Sequence, residues 1–210
     1  MNLHPKNILR WILAVAVVAI FYNAYFETSG PEIYRNSQLA SLLGGEEKSL
    51  NLNKRIKNID CRARGPLPDS DCTPGAIFPN TTKDQICIKG YSKTVRNVPT
   101  SLKRLVFEEY GISYPQPFGS YEVDHLIPLS LGGNNDIENL WPKAAKPFPG
   151  FWEKNIVANY LREEVCDGRI ALSIAQEQIA NDWFSIYKIL PDNLISELKE
   201  KYPNWANRRK

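Results

Sequence analysis

The spacing of apolar residues is clearest in the last third of the chain. Residues 151–165 form one predicted amphipathic helix. Its apolar face consists of Ile156, Val157, Tyr160, Leu161 and Val165. A neighbouring polar face carries Asn155, Asn159 and Arg162, at i, i+4 and i+7.

Two further helices are predicted after this one. Apolar positions from Leu172 to Leu190 predict a long helix that stops at Pro191, because proline cannot continue a helix. Residues 193–202 predict a last short helix. The pattern therefore indicates a helical C-terminal half.

The middle of the chain predicts shorter elements. Apolar residues at helical spacing over 101–110 predict a helix that Gly111 ends. Residues 91–99 are predicted to be extended, and 121–124 suit a short strand followed by a turn at Gly132-Gly133. Residues 61–90 are rich in Pro, Gly, Asp and Thr, which predicts irregular loops.

The N-terminal pattern indicates export. Residues 11–26 are almost all apolar, follow Lys6 and Arg10, and precede Glu27, an asymmetry that orients a membrane segment with its N-terminus in the cytoplasm. We interpret 11–26 as an uncleaved signal anchor, with a cleaved signal peptide as the alternative. Residues 27–60 are polar, which predicts a linker. We expect the folded domain at 61–190 and a C-terminal helix with a basic tail at 191–210.

The net charge and the cysteines say more about where the protein is located than about its function. A net charge of +3 permits contact with phosphates but does not by itself indicate nucleic-acid binding. Four cysteines in an exported chain favour disulfides over a zinc site, since no CxxC occurs. Three pairings of Cys61, Cys72, Cys87 and Cys166 are possible from the sequence.

The candidate chemistry lies between residues 121 and 142. His125 is the only histidine besides His4, and it follows Asp124 directly. Successive side chains of a strand point in opposite directions, so the carboxylate could face a metal ion while the imidazole activates water. Asn139 is expected to hydrogen-bond backbone and hold the loop that follows the histidine. Trp141 and Trp183 are interpreted as core residues.

These residues closely resemble the HNH endonuclease motif. The resemblance rests on Asp124–Leu129 (DHLIPL), Gly132-Gly133 and Asn135–Pro142 (NDIENLWP). Over roughly residues 61–185 the chain also resembles a group of exported bacterial HNH proteins. The further matching segments are Cys72–Gly75, Cys87 with Gly90–Ser92, Val95-Arg96, Val165–Gly168 and Asp182-Trp183. DH alone is a weak signal, but the three segments in this order are a strong one.

The resemblance implies an α+β fold: a small ββα-metal core with additional helices and disulfide-stapled loops. In that fold Asp124 binds Mg²⁺ or Mn²⁺, His125 is the general base and Asn139 fixes the histidine loop. The chain departs from the pattern at the last histidine of the motif, where Trp152 stands. Asn155 and Asn159 are the expected substitute ligands, with Glu153 as a further option.

Basic residues near the site supply the expected contacts to nucleic acid. Arg96 and Arg162 are predicted to bind phosphates. Neighbouring lysines, among them Lys143 and Lys154, are interpreted as solvated surface charges.

The resulting hypothesis is a metal-dependent endonuclease of low sequence specificity that acts outside the cytoplasm and is anchored by residues 11–26. DNA is the expected substrate, with RNA as the alternative polymer. The rival hypotheses are a degenerate HNH-like protein that binds nucleic acid or another partner without cleaving, and a membrane-tethered structural or cell-envelope interaction protein stabilised by disulfides.

Overall fold

A computed structural model describes residue 52 and residues 54–203. These residues belong to one compact unit. The predicted anchor at 11–26, most of the linker and the basic tail lie outside the described residues. Within the described part of the chain, none of the helices combines the length and the apolar character that crossing a bilayer requires.

A two-stranded antiparallel hairpin holds the Asp-His pair. Strand β1 (Tyr121–His125) pairs with β2 (Leu140–Ala144), so that Asp124 lies opposite Trp141 and His125 opposite Leu140. The strand predicted from the sequence is confirmed. The Asp-His pair therefore stands at the end of β1, where the chain leaves the sheet.

The loop between the strands contains two short 3-10 turns, Leu129–Leu131 and Ile137–Asn139, with the predicted glycine turn between them. Gly132 has φ of 79°, a left-handed conformation that favours glycine. A Cβ atom on Gly133 would lie 1.8 Å from the carbonyl oxygen of Ile127. Any side chain at this position would push apart the loop that follows His125.

The described residues contain six α-helices. They are α1 (Lys83–Cys87), α2 (Tyr91–Val95), α3 (Thr100–Glu109), α4 (Phe151–Cys166), α5 (Leu172–Ile189) and α6 (Asp192–Lys201). The four longer helices confirm the predicted bounds to within one or two residues, but α5 is interrupted at Asp182, whose φ of −159° and ψ of 77° are not helical. Helix α4 packs against β1 and α5, and most of its residues are buried. The chain is thus a mixed fold of helices and a small sheet.

Two short helices correct the sequence analysis. Residues 91–95 were predicted to be extended but form α2, and α1 lies within the stretch predicted to be irregular. A capping box explains α1: the Gln85 side chain accepts the Thr82 N–H at 2.9 Å, and Thr82 Oγ1 accepts the Gln85 N–H at 3.4 Å. A helix this short shows no apolar periodicity, so only its cap could have indicated it.

Both predicted disulfides form, and the structure selects the pairing. Cys61 pairs with Cys72, and this bridge packs against Tyr110 and Trp141. Cys87 pairs with Cys166 and joins the end of α1 to the end of α4. Two disulfides are compatible with a location outside the cytoplasm.

Candidate active site

The loop after His125 is held by the side chain of Asn139, which is fully buried. Its Oδ1 accepts the N–H of Ile127 at 2.9 Å. Its Nδ2 donates to the carbonyl oxygens of Ile127 at 3.0 Å and Asn134 at 2.9 Å. The expected contact between Asn139 and the histidine loop is therefore present, and the side-chain amide satisfies three backbone groups that would otherwise be buried without partners.

A second asparagine, Asn135, orients the imidazole of His125. Asn135 Oδ1 accepts the N–H of Asn97 at 3.0 Å, and its Nδ2 donates to the carbonyl oxygen of Val95 at 2.8 Å. These two backbone contacts fix the direction of the amide, so that its oxygen lies 3.2 Å from His125 Nε2. An amide oxygen can only accept, so Nε2 carries a proton. In the neutral ring the lone pair is then on Nδ1.

His125 is neutral at physiological pH. Burial lowers the pKa of His125 to about 4, and the positive charges of Arg96 and Lys154 act in the same direction. The hydrogen bond to Asn135 and the charge of Asp124 oppose this shift but do not cancel it. The residue is only 4% exposed, so desolvation dominates. A neutral imidazole is the form that can accept a proton.

The ammonium of Lys154 lies against the Asp-His pair. Lys154 Nζ is 2.9 Å from Asp124 Oδ2 and donates to the backbone carbonyl of His125 at 2.7 Å. Asp124 Oδ2 accepts no hydrogen bond from the described residues. Its contact with Lys154 Nζ is therefore an ion pair without a hydrogen bond. The Lys154 side chain is 1% exposed, which corrects its interpretation as a surface charge.

The side chains around Asp124 do not fit the divalent ion that the HNH resemblance implies. Lys154 faces Asp124 from α4, and Asn155 and Asn159 project about 100° and about 140° further round the helix. Asn155 Nδ2 is buried with no hydrogen-bond partner in the described structure. Across the residues described, no cluster of three or more His, Cys, Asp or Glu side chains could hold a metal. The expected Mg²⁺ or Mn²⁺ therefore stays a prediction without a ligand set.

The two predicted phosphate-binding arginines lie in different surroundings. Arg96 is exposed, and its charge acts on His125. It lies between Val95 and Asn97, the residues that Asn135 holds. Arg162 instead donates its Nε to the carbonyl oxygen of Ile86 at 2.9 Å, which ties α4 to α1. Only Arg96 combines exposure with electrostatic coupling to the histidine.

A second buried lysine lies beside the site. Lys143 Nζ donates to the carbonyl oxygen of Pro66 at 3.0 Å and lies 4.8 and 4.4 Å from the ring centroids of Trp141 and Trp183. Burial lowers the pKa of Lys143 to about 7. The two tryptophans are buried, as predicted, but Lys143 was wrongly interpreted as a solvated charge. The lysine joins the N-terminal loops to β2 and α5 through contacts with a cation–π component.

Sequence reasoning missed Asn135 and Lys154. Lys154 had a signal, because Phe151, Ala158 and Leu161 place it within an apolar stripe of α4, and a charge in such a stripe needs a buried partner. Asn135 belongs to the motif segment 135–142, but its role had no local signal, since its partners Val95 and Asn97 lie 40 and 38 residues away in the chain.

Comparison of the chain with protein-family models, with curated proteins and with solved structures returned no match. The interpretation of the site therefore depends on its residues and geometry.

Proposed function

We propose that the protein is an HNH-type endonuclease that hydrolyses DNA phosphodiester bonds with low sequence specificity outside the cytoplasm. The observation that carries the proposal is the neutral His125, whose Nε2–H is directed to Asn135 so that the lone pair lies on Nδ1. A general base must be neutral at the working pH and fixed in direction, and His125 meets both requirements, while its lowered pKa makes it a weaker base than an ordinary imidazole.

The proposed reaction is in-line displacement at phosphorus. His125 Nδ1 removes a proton from a water molecule while the water oxygen forms a bond to phosphorus. The bond from phosphorus to the leaving deoxyribose oxygen breaks, and that oxygen takes a proton from solvent. Arg96 is an exposed cation whose charge acts on His125, and it is suited to bind a non-bridging phosphate oxygen.

The backbone around the site supports this chemistry by limiting movement. Asn139 and the absence of a side chain at Gly133 fix the loop after His125, and Asn135 fixes the imidazole. A base held in this way loses less orientational freedom when the substrate binds.

A second candidate is an HNH-like protein that binds nucleic acid without cleaving it. The contact between Lys154 and Asp124 favours this alternative, because it engages the carboxylate that an HNH enzyme uses for its metal. In that case Arg96 would bind the nucleic acid and His125 would have only a structural role.

Nicking of supercoiled plasmid by the purified full-length protein separates these candidates. Wild type is compared with His125→Ala and with His4→Ala, the same substitution at the other histidine, in Mg²⁺, in Mn²⁺ and in EDTA. We expect wild type and His4→Ala to nick DNA in at least one condition, and His125→Ala to be slower by roughly a hundredfold or more. A parallel assay on labelled RNA defines the polymer.

The endonuclease proposal is refuted if folded wild type fails to nick in every condition, or if His125→Ala nicks as fast as wild type. Binding is measured on the same samples by fluorescence anisotropy with labelled DNA. Binding without nicking establishes the second candidate.

A further inference from the structure

Two oxygens of the Asp-His pair bind one buried ammonium group. The carboxylate of Asp124 and the backbone carbonyl of His125 lie 2.9 and 2.7 Å from Lys154 Nζ. The Lys154 side chain is almost completely removed from water. A buried lysine needs a partner of opposite charge and an acceptor for its hydrogens. Asp124 supplies the charge, and the carbonyl oxygen of His125 accepts a hydrogen bond.

Carboxylate and carbonyl oxygens are also the ligands that a hard divalent cation takes from a protein. Such an ion would bind at roughly 2.0 to 2.6 Å from the same oxygens. It would then occupy the volume that the ammonium fills, and the two positive charges would repel each other at close range. Asp124 Oδ2 can therefore bind only one cation at a time.

On the face of helix α4 that carries Lys154, the neighbouring positions supply no other ligand, and the carboxylate of Glu153 accepts the N–H of Gly150 at 2.7 Å. The residues that share the face of Lys154 at i−3, i+4 and i+7 are Phe151, Ala158 and Leu161, which have no oxygen or nitrogen in their side chains. The helix thus presents a cation to Asp124, two residues after Trp152, which stands where the HNH pattern has its last histidine.

We propose that Lys154 is the resident cation of this site: it balances Asp124, excludes a divalent ion from that carboxylate, and leaves a nuclease that needs no metal. The catalytic part of this inference rests on the proposed function, whereas the exclusion of the ion does not. Lys154 is a positioning residue, because its ammonium is buried. The exposed Arg96 then supplies the charge that meets the phosphate.

The first test measures Mn²⁺ binding to the full-length protein by electron paramagnetic resonance. Wild type is compared with Asp124→Asn, and we expect the two to bind Mn²⁺ equally weakly. Lys154→Glu removes the ammonium and adds a carboxylate opposite Asp124, so we expect it to gain a Mn²⁺ site and to melt at a higher temperature in Mn²⁺. Lys154→Met is the matched control without the new ligand.

Mn²⁺ binding by wild type that Asp124→Asn abolishes would overturn the inference, whatever the activity. A folded Lys154→Glu variant that gains neither binding nor thermal stability would also count against it, because the position would then not be a cation site.

The second test measures plasmid nicking in EDTA and in Mg²⁺. We expect wild type to nick at rates that agree within about twofold in the two conditions, and Lys154→Met to lose at least roughly tenfold in both. Lys154→Arg keeps the charge and should retain more activity than Lys154→Met. Because Lys154→Met leaves a buried carboxylate unpaired, the double variant Asp124→Asn/Lys154→Met controls for loss of folding.

Wild-type nicking that disappears in EDTA and returns with Mg²⁺ or Mn²⁺ overturns the metal-free inference while the endonuclease proposal survives. If no condition gives nicking, the endonuclease proposal fails, and the Mn²⁺ measurement alone then decides whether Lys154 excludes the ion.

Discussion

Replacement of Asn139 by alanine should destabilise the fold severely, because the side chain satisfies three buried backbone groups. The variant leaves the N–H of Ile127 and the carbonyl oxygens of Ile127 and Asn134 without these partners. A buried polar group without a partner costs about 1 to 3 kcal/mol, and carbonyls lie at the lower end. We therefore expect Asn139→Ala to lower the free energy of unfolding by roughly 3 to 5 kcal/mol.

Urea denaturation at neutral pH, with the disulfides intact, measures this loss. Asn139→Asp is the informative partner, since it keeps the acceptor for Ile127 N–H but turns the donor of two hydrogen bonds into a carboxylate that faces two carbonyls. It should be no more stable than the alanine variant. Asn58→Ala, at an exposed position, should change stability by less than about 0.5 kcal/mol.

Hydrogen exchange at the Ile127 amide gives a local measure that does not depend on global unfolding. Exchange should be slow in wild type and much faster in Asn139→Ala. If Asn139→Ala loses less than about 1 kcal/mol and the Ile127 amide stays protected, the side chain does not hold the loop in the way described.

Two further predictions concern His125. The pKa of His125 is about 4 in the folded protein and lies below the ordinary value of 6.5. Between these two pH values the unfolded chain therefore binds more protons than the folded protein. We expect the free energy of unfolding to fall by at most roughly 3 kcal/mol as the pH drops from about 6.5 to about 4. Urea denaturation at a series of pH values should show this fall in the free energy of unfolding for wild type and not for His125→Gln. If the free energy of unfolding depends on pH in the same way in both proteins, burial does not lower the pKa of His125. Nitrogen NMR at neutral pH should show the Nε2–H tautomer in wild type and a tautomer mixture in Asn135→Leu, and an Nδ1–H wild type would refute the proposed orientation.

The sequence predicted the parts of the structure that depend on local patterns. The apolar spacing in 151–165 and 172–190 was enough to predict α4 and α5, and the glycine turn was visible because only glycine fits at Gly133. Strand β1 was predicted from residues 121–124. Helix α2 was missed because a five-residue helix has no periodicity to detect.

The candidate site was predictable only as far as its residues are neighbours in sequence. Asp124, His125 and Asn139 belong to one hairpin, so a motif could bring them together. Lys154 reaches them from α4, and Asn135 connects them to the segment that carries Arg96. Such contacts depend on tertiary packing, which no single stretch of sequence encodes.

The Cys87–Cys166 bridge has a consequence for the protein after proteolytic cleavage. The loop from Ser113 to Gly119 is largely exposed, and Phe118 at its end is 97% exposed, which makes it the natural place for a backbone cut. Such a cut would leave Arg96 on one fragment and the Asp-His pair on the other. The bridge connects those two fragments, so the nicked molecule would keep covalent continuity, and the two halves of the site would part only when the disulfide is reduced.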